Sequence, residues 1–126
     1  MIAALAIAAT GCYNDKADKL YPQPTLNTNT CDTATIGYVK DIQPIINANC
    51  AISGCHNASG AATTGNLDYT IFATLQAQAT PDLILADING APVGRGHQAM
   101  PLNLPKIDQC SINKLTRWVN EGAPDN

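Results

Sequence analysis

Large side chains are scarce in this chain of 126 residues. Aromatics make up 5% of it, with one Phe and one Trp. Aromatic rings fill much of an ordinary core, so either small Ala-rich helices must pack very closely here or a bound group must supply the missing volume. Positive charge is also sparse. Seven Lys and Arg face ten Asp and Glu, for a net charge of -3 and a pI near 5.0. That balance leaves no basic footprint for nucleic acid and no polybasic patch for anionic lipid. No segment sustains an apolar/polar alternation of period two, which argues against a sheet and for an all-α domain. There is no internal repeat. Catalytic constellations are missing as well: no Ser/His/Asp order, no Gly-rich phosphate loop and no paired carboxylates, so an enzyme is not expected.

What is present begins with an apolar leader. Met1 to Gly11 is nearly all apolar and ends in Ala9-Thr10-Gly11-Cys12. It is too short to span a bilayer and reads as the apolar region of a signal for export, residues 1–11. A small residue before Cys resembles a bacterial lipobox, which makes Cys12 the lipidated first residue of the mature protein and the membrane its anchor. The alternative is a free or disulfide-bonded Cys12. Residues 12–30 are polar and contain Pro22 and Pro24. They bury little and read as a tether. The folded domain is then expected over residues 31–126.

The centre of that domain is Cys50-Ala51-Ile52-Ser53-Gly54-Cys55-His56. Two thiols with a His directly after the second is the pattern of covalent haem attachment. The cysteines add to the vinyl groups and the histidine comes to lie under the iron. The usual gap is two residues and here it is four. With Cys12 assigned to lipid and Cys50 and Cys55 to haem, Cys31 and Cys110 are left. In an exported, oxidising setting such a pair reads as a disulfide, although five cysteines allow other pairings. It would close a long loop and stabilise the domain by roughly 4 kcal/mol.

Helical patterns surround the motif. Val39, Ile42, Ile45 and Ile46 recur at helical spacing over 36–49, and Pro44 places the regular start near Lys40 or Asp41. Asp68 is expected to cap a helix from Tyr69 to about Gln78. Thr80-Pro81 opens a short helix, Asp82 to Asp87, which Asn89-Gly90 stops. Asp108 caps the last helix, which carries Ile112, Leu115, Trp118 and Val119 on one face and ends at Gly122.

A sixth iron ligand has to come from a distant stretch. Met100 is the only methionine after the first residue and lies in a Gly/Pro-rich loop, followed by Pro101. Its soft thioether suits Fe(II) and would raise the reduction potential. The rival is His97, which would make a bis-His site. His97 and Arg95 are also candidates for bonding a haem propionate. Trp118 is expected to pack between the first helix, the last helix and the haem edge. Two readings compete with haem. Cys50, Cys55, His56 and His97 offer four ligands for zinc, although adjacent Cys55 and His56 suit one tetrahedral ion badly. Cys50 and Cys55 also offer a simple disulfide.

From Ile36 to Ala123 the chain resembles the class I c-type cytochromes. The resemblance rests on the helix leading into Cys50…Cys55-His56, on the late Met100-Pro101, and on the last helix with Trp118 followed by Glu121-Gly122-Ala123. It is nearest to small exported cytochromes of Gram-negative bacteria such as Bacteroidetes, many of them lipoproteins. It implies a cytochrome c-like fold in which the first and last helices cross beside one haem c. It also implies single-electron transfer between redox partner proteins, with His56 and Met100 on the iron and no open site for substrate. The location implied is the periplasm or the outer membrane. The alternatives are a haem-based sensor in which Met100 is displaceable, and an exported structural module held by zinc or disulfides.

Overall fold

Pro44 decides how the domain begins. In a regular α-helix its ring would collide with the carbonyl four residues back, and it has no N–H to donate. The chain answers with a π-helical turn, Tyr38–Ile42, in which Gln43 N–H donates to the Tyr38 carbonyl five residues back. This wider turn runs into helix α1, Gln43–Asn49, with Pro44 in its first turn. Regular α geometry therefore starts two residues beyond the expected Asp41, because the proline needs the widened turn before it. The computed structural model describes residues 31–90 and 98–126. The leader, Cys12, the tether, Arg95 and His97 lie outside them.

The described residues are helical, with no strand among them. A 3₁₀ turn, Ala61–Thr63, follows the Cys-His motif. Helix α2, Phe72–Gln78, starts later than expected. Asp68 is not its cap. The Asp68 carboxylate accepts from Thr70 N–H at 3.0 Å and from Thr70 Oγ1 at 2.6 Å. The Asp is thus used up in a local turn of its own, a standard competitor of capping. Thr80 and Pro81 open a second π-helical turn, Pro81–Leu85, that leads into α3, Ala86–Ile88. Gly90, at φ +73°, ends it.

Helix α4, Gln109–Asn120, forms as its sequence predicts. Asp108 accepts from Ser111 N–H at 2.9 Å at its start. At its end Ala123 N–H reaches the Trp118 carbonyl and Gly122 N–H the Val119 carbonyl, with Gly122 at φ +88°. This is a Schellman closure, which satisfies two of the orphan carbonyls. The buried face of α4 carries Ile112, Leu115, Trp118 and Val119. It packs against the π turn before α1 and against the π turn before α3. Tyr38 stacks on Trp118 with ring centroids 5.9 Å apart, and Phe72 meets both rings edge-on. Ile42, Ile46 and Leu75 complete the centre of the core.

Several long-range ties join the two ends of this unit. Cys31 and Cys110 form a disulfide. The Asn126 side chain accepts from Tyr38 N–H and donates to the Ile36 carbonyl. Gln76 donates to the Ala123 carbonyl at 2.8 Å. Lys114 of α4 donates to the buried Asp41 at 2.7 Å, and Asp41 also accepts from Gly37 N–H. The Lys114 hydrogen bond holds the Asp41 carboxyl below its usual value, against burial, which pushes it up; the Gly37 N–H and the Lys40 charge add to the lowering. A carboxylate lowered in this way contributes stability above about pH 4, its ordinary unfolded value. That stability is lost as pH falls through the folded value. Asp41→Asn is therefore expected to cost about 1.5–3 kcal/mol at pH 7, the weight of a hydrogen bond to a charged group. The gap to the wild type should close in acid. Urea titrations at pH 7 and pH 3 check this, and a gap that does not change with pH counts against the ion pair.

Candidate cofactor site

Helix α1 ends with one of its carbonyls shared by two donors. Cys50 N–H and Ala51 N–H both reach the Ile46 carbonyl at 2.8 Å. The chain then turns through Gly54, at φ +79°, in the left-handed region open to glycine. Cys55 N–H donates to the Ile52 carbonyl, and His56 N–H returns to the Cys50 carbonyl, each at 3.0 Å. The last bond closes a ring. Ala51 to Gly54 form the loop inside it, with Ala51 against the core and Gly54 on the cavity wall, and the closure joins Cys50 to His56.

A second layer backs this ring. Gly60 N–H donates to both the backbone carbonyl and the side-chain oxygen of Asn57, at 3.0 Å each. This fold-back presses Gly60 onto the peptide between Gly54 and Cys55. A Cβ at Gly60 would stand 2.0 Å from the Cys55 carbonyl oxygen and 2.6 Å from both the Cys55 nitrogen and the Gly54 carbonyl carbon. Only a residue without a side chain fits. Thr63 and Thr64 hydroxyls then donate to the Gly60 carbonyl.

His56 is buried, and three groups from the segment 67–69 hold it. Its Nδ1 lies 3.2 Å from the Leu67 carbonyl. A carbonyl partner makes Nδ1 the protonated nitrogen and leaves the Nε2 lone pair to bind a metal. The Tyr69 ring lies flat on the imidazole, with centroids 4.4 Å apart and planes 10° apart. Tyr69 N–H donates to the His56 carbonyl at 2.9 Å. Burial lowers the His56 pKa, more than the Leu67 carbonyl and the Asp87 charge raise it. The imidazole is thereby kept neutral, as ligation requires.

Cys50 and Cys55 are free thiols, bonded neither to each other nor to another cysteine. Burial, with a smaller contribution from Cys55, pushes the Cys50 thiol up to about 11. It is therefore a neutral thiol at pH 7. Among the described residues no three His, Cys, Asp or Glu side chains gather where they could hold a metal ion. The fourth residue of the zinc set, His97, lies outside the described residues.

Met100 reaches the same place from the other half of the chain. Its N–H donates to the Asp87 carbonyl at 2.9 Å, which ties it to the end of α3. Cys50, Cys55, His56 and Met100 all line one cavity of about 570 Å³. Its wall is completed by apolar groups such as Leu67, Ile84, Ile88 and Ile107. Interiors are packed closely, with few voids larger than a water molecule. Cofactor pockets run to about 300–1,000 Å³, and this cavity falls among them. The shortage of aromatic volume is met by space at the site.

Trp118 does not line the cavity. It is fully buried in the aromatic cluster with Tyr38 and Phe72, and its indole N–H donates to the Pro124 carbonyl at 2.9 Å. The expectation that it meets the cofactor edge is corrected: the rings beside it are those of Tyr38 and Phe72, which come from other elements. Three site residues escaped the reading of the sequence. Gly60 looked like one more loop glycine, and Leu67 acts through its backbone. Tyr69 falls at the start of the expected helix, and its burial just ahead of the delayed start of α2 shows only in the fold. No family model, no curated protein and no solved structure matches the chain.

Proposed function

We propose that this domain is a single-haem c-type cytochrome that carries electrons between partner proteins. The observation that supports it is the meeting of Cys50, Cys55, His56 and Met100 on one largely apolar cavity, from positions up to 50 residues apart. The donor set suits the group. Two thiols stand ready to add across vinyl double bonds. A neutral imidazole offers Nε2, and a thioether offers a soft sulfur. Bound there, haem c supplies a one-electron ferric/ferrous couple. Cys50 and Cys55 would hold it covalently, His56 would be its proximal ligand and Met100 its distal ligand. The apolar walls would keep water from a bound iron. With His56 and Met100 both holding the iron, no position would remain for substrate, so the reading is a carrier and not an enzyme.

The finer architecture proposed is the cytochrome c-like fold, with α1 and α4 as the crossing pair. The setting proposed is an exported lipoprotein, anchored through Cys12 in the periplasm or at the outer membrane of a Gram-negative bacterium. No helix among the described residues is long and apolar enough to cross a membrane.

The test is a pyridine haemochrome spectrum of protein matured with the haem-attachment machinery. A haem c band is expected, at the position for two thioethers, and its absence would sink the reading. Met100→Ala is expected to abolish the near-infrared sulfur-to-iron band of the oxidised protein and to lower the midpoint potential. An unchanged spectrum would hand the sixth position to His97.

A further inference from the structure

The contact that the haem reading leaves unused is the stack of Tyr69 on His56. We propose that Tyr69 is a positioning residue for the proximal ligand: its ring fixes the plane of the His56 imidazole and biases the iron toward the oxidised state. The inference rests on the haem assignment and goes beyond it.

The geometry separates Tyr69 from ordinary core. Tyr38 lies on Trp118 at 5.9 Å and 24° and meets Phe72 edge-on at 4.7 Å, so no other ring pair among the described residues is as close or as flat as Tyr69 on His56, at 4.4 Å. Tyr69 and His56 lie within 10° of parallel. Near-parallel contact suits a pair in which one ring is electron-poor, as an imidazole becomes when it donates to a metal. Tyr69 is also anchored at two levels, since its own N–H holds the His56 carbonyl while its ring covers the side chain. The Leu67 carbonyl fixes Nδ1 from the same segment. An imidazole gripped at Nδ1 and along one face cannot rotate about its Cβ–Cγ bond. The orientation of its plane relative to the iron is thereby set.

The electrostatic consequence has a definite sign. The face of an aromatic ring is negative and attracts positive charge. An imidazole on ferric iron carries more positive charge than one on ferrous iron. The Tyr69 face therefore favours the ferric form, and its removal should raise the midpoint potential.

The experiment compares matured wild type with Tyr69→Phe and Tyr69→Leu. Each is measured by haemochrome spectrum, midpoint potential and the spread of haem methyl shifts in the oxidised protein. Tyr69→Phe keeps the face and should keep both the potential and the spread. Tyr69→Leu should raise the potential and change the spread at equal haem content. Two results overturn the proposal: Tyr69→Leu identical to wild type in both readouts, or Tyr69→Phe shifted as far as Tyr69→Leu. Should Tyr69→Leu fail to hold haem, reduced wild type decides the matter. A nuclear Overhauser effect between the Tyr69 and His56 rings supports the stack, and its absence overturns it. A wild type that binds no haem removes the carrier reading itself. A haem-loaded wild type with no Tyr69 effect removes only this inference.

Discussion

Gly60→Ala should leave a protein that cannot be loaded through both cysteines. The new methyl carbon would have to share space with the Cys55 carbonyl oxygen, 2.0 Å away, and with two further backbone atoms at 2.6 Å. All three belong to the main chain, so no rotamer change relieves the clash. Either the Asn57–Gly60 turn opens or the Gly54–Cys55 peptide moves. The first removes the turn that backs the ring, and the second strains the bond from His56 N–H to the Cys50 carbonyl that closes it. Overpacking a core costs about 1–3 kcal/mol when side chains can adjust, and a backbone collision should stand at the top of that range. The intact mass of matured Gly60→Ala should show the haem adduct largely lost, and thermal melting should drop. Gly54→Ala is the comparison. Nothing stands within 4 Å of a Cβ there, and the penalty is only that of a left-handed residue, about 1–2 kcal/mol. A Gly60→Ala protein that loads like wild type would mean that the turn does not press on the ring.

Trp118→Ala should have the largest effect on stability with the least effect on the site. Trp118 is fully buried between Tyr38 and Phe72. Truncating a buried Trp typically costs about 3–5 kcal/mol. Here it also leaves the Pro124 carbonyl without its indole donor. A domain of ordinary stability has about 5–15 kcal/mol in all, so the variant should sit near the edge of folding. Urea denaturation should show the midpoint falling steeply, while the visible spectrum of whatever remains folded stays that of wild type. A changed spectrum at unchanged stability would return Trp118 to the cofactor edge.

The contrast between these two residues marks what could be read from the chain. Trp118 announced itself: it recurs with Ile112 and Leu115 on one face of a helix that Asp108 starts and Gly122 stops, and all of these signals are local. Its packing against the first helical stretch was legible, and Tyr38 lies there; Phe72, from α2, was not. Gly60 was invisible for a related reason. A missing side chain leaves no periodicity, and only the fold shows which backbone it must approach. Asp68 failed in another way. An Asp ahead of a helical pattern can cap the helix or close a turn with its own neighbours, and Thr70 supplied a second donor that favoured the turn. At α1 the proline was noted, but the wide turn that relieves it depends on bonds five residues apart, which no residue type signals. Cys50, His56 and Met100 stood out by their chemistry and their isolation. Their common cavity is a property of three dimensions alone.

The bond between His56 N–H and the Cys50 carbonyl changes what the spacing of such a motif measures. With the two ends joined, that bond sets where Cys50 and His56 stand, while Cys55 rides on the short loop between them, held by its own bond to the Ile52 carbonyl. Under the proposed function, closure and not residue count is what brings the first thiol and the histidine together. A pattern written as a number of intervening residues passes over this chain. One written as two ends that must meet, with a glycine near the second, would find it.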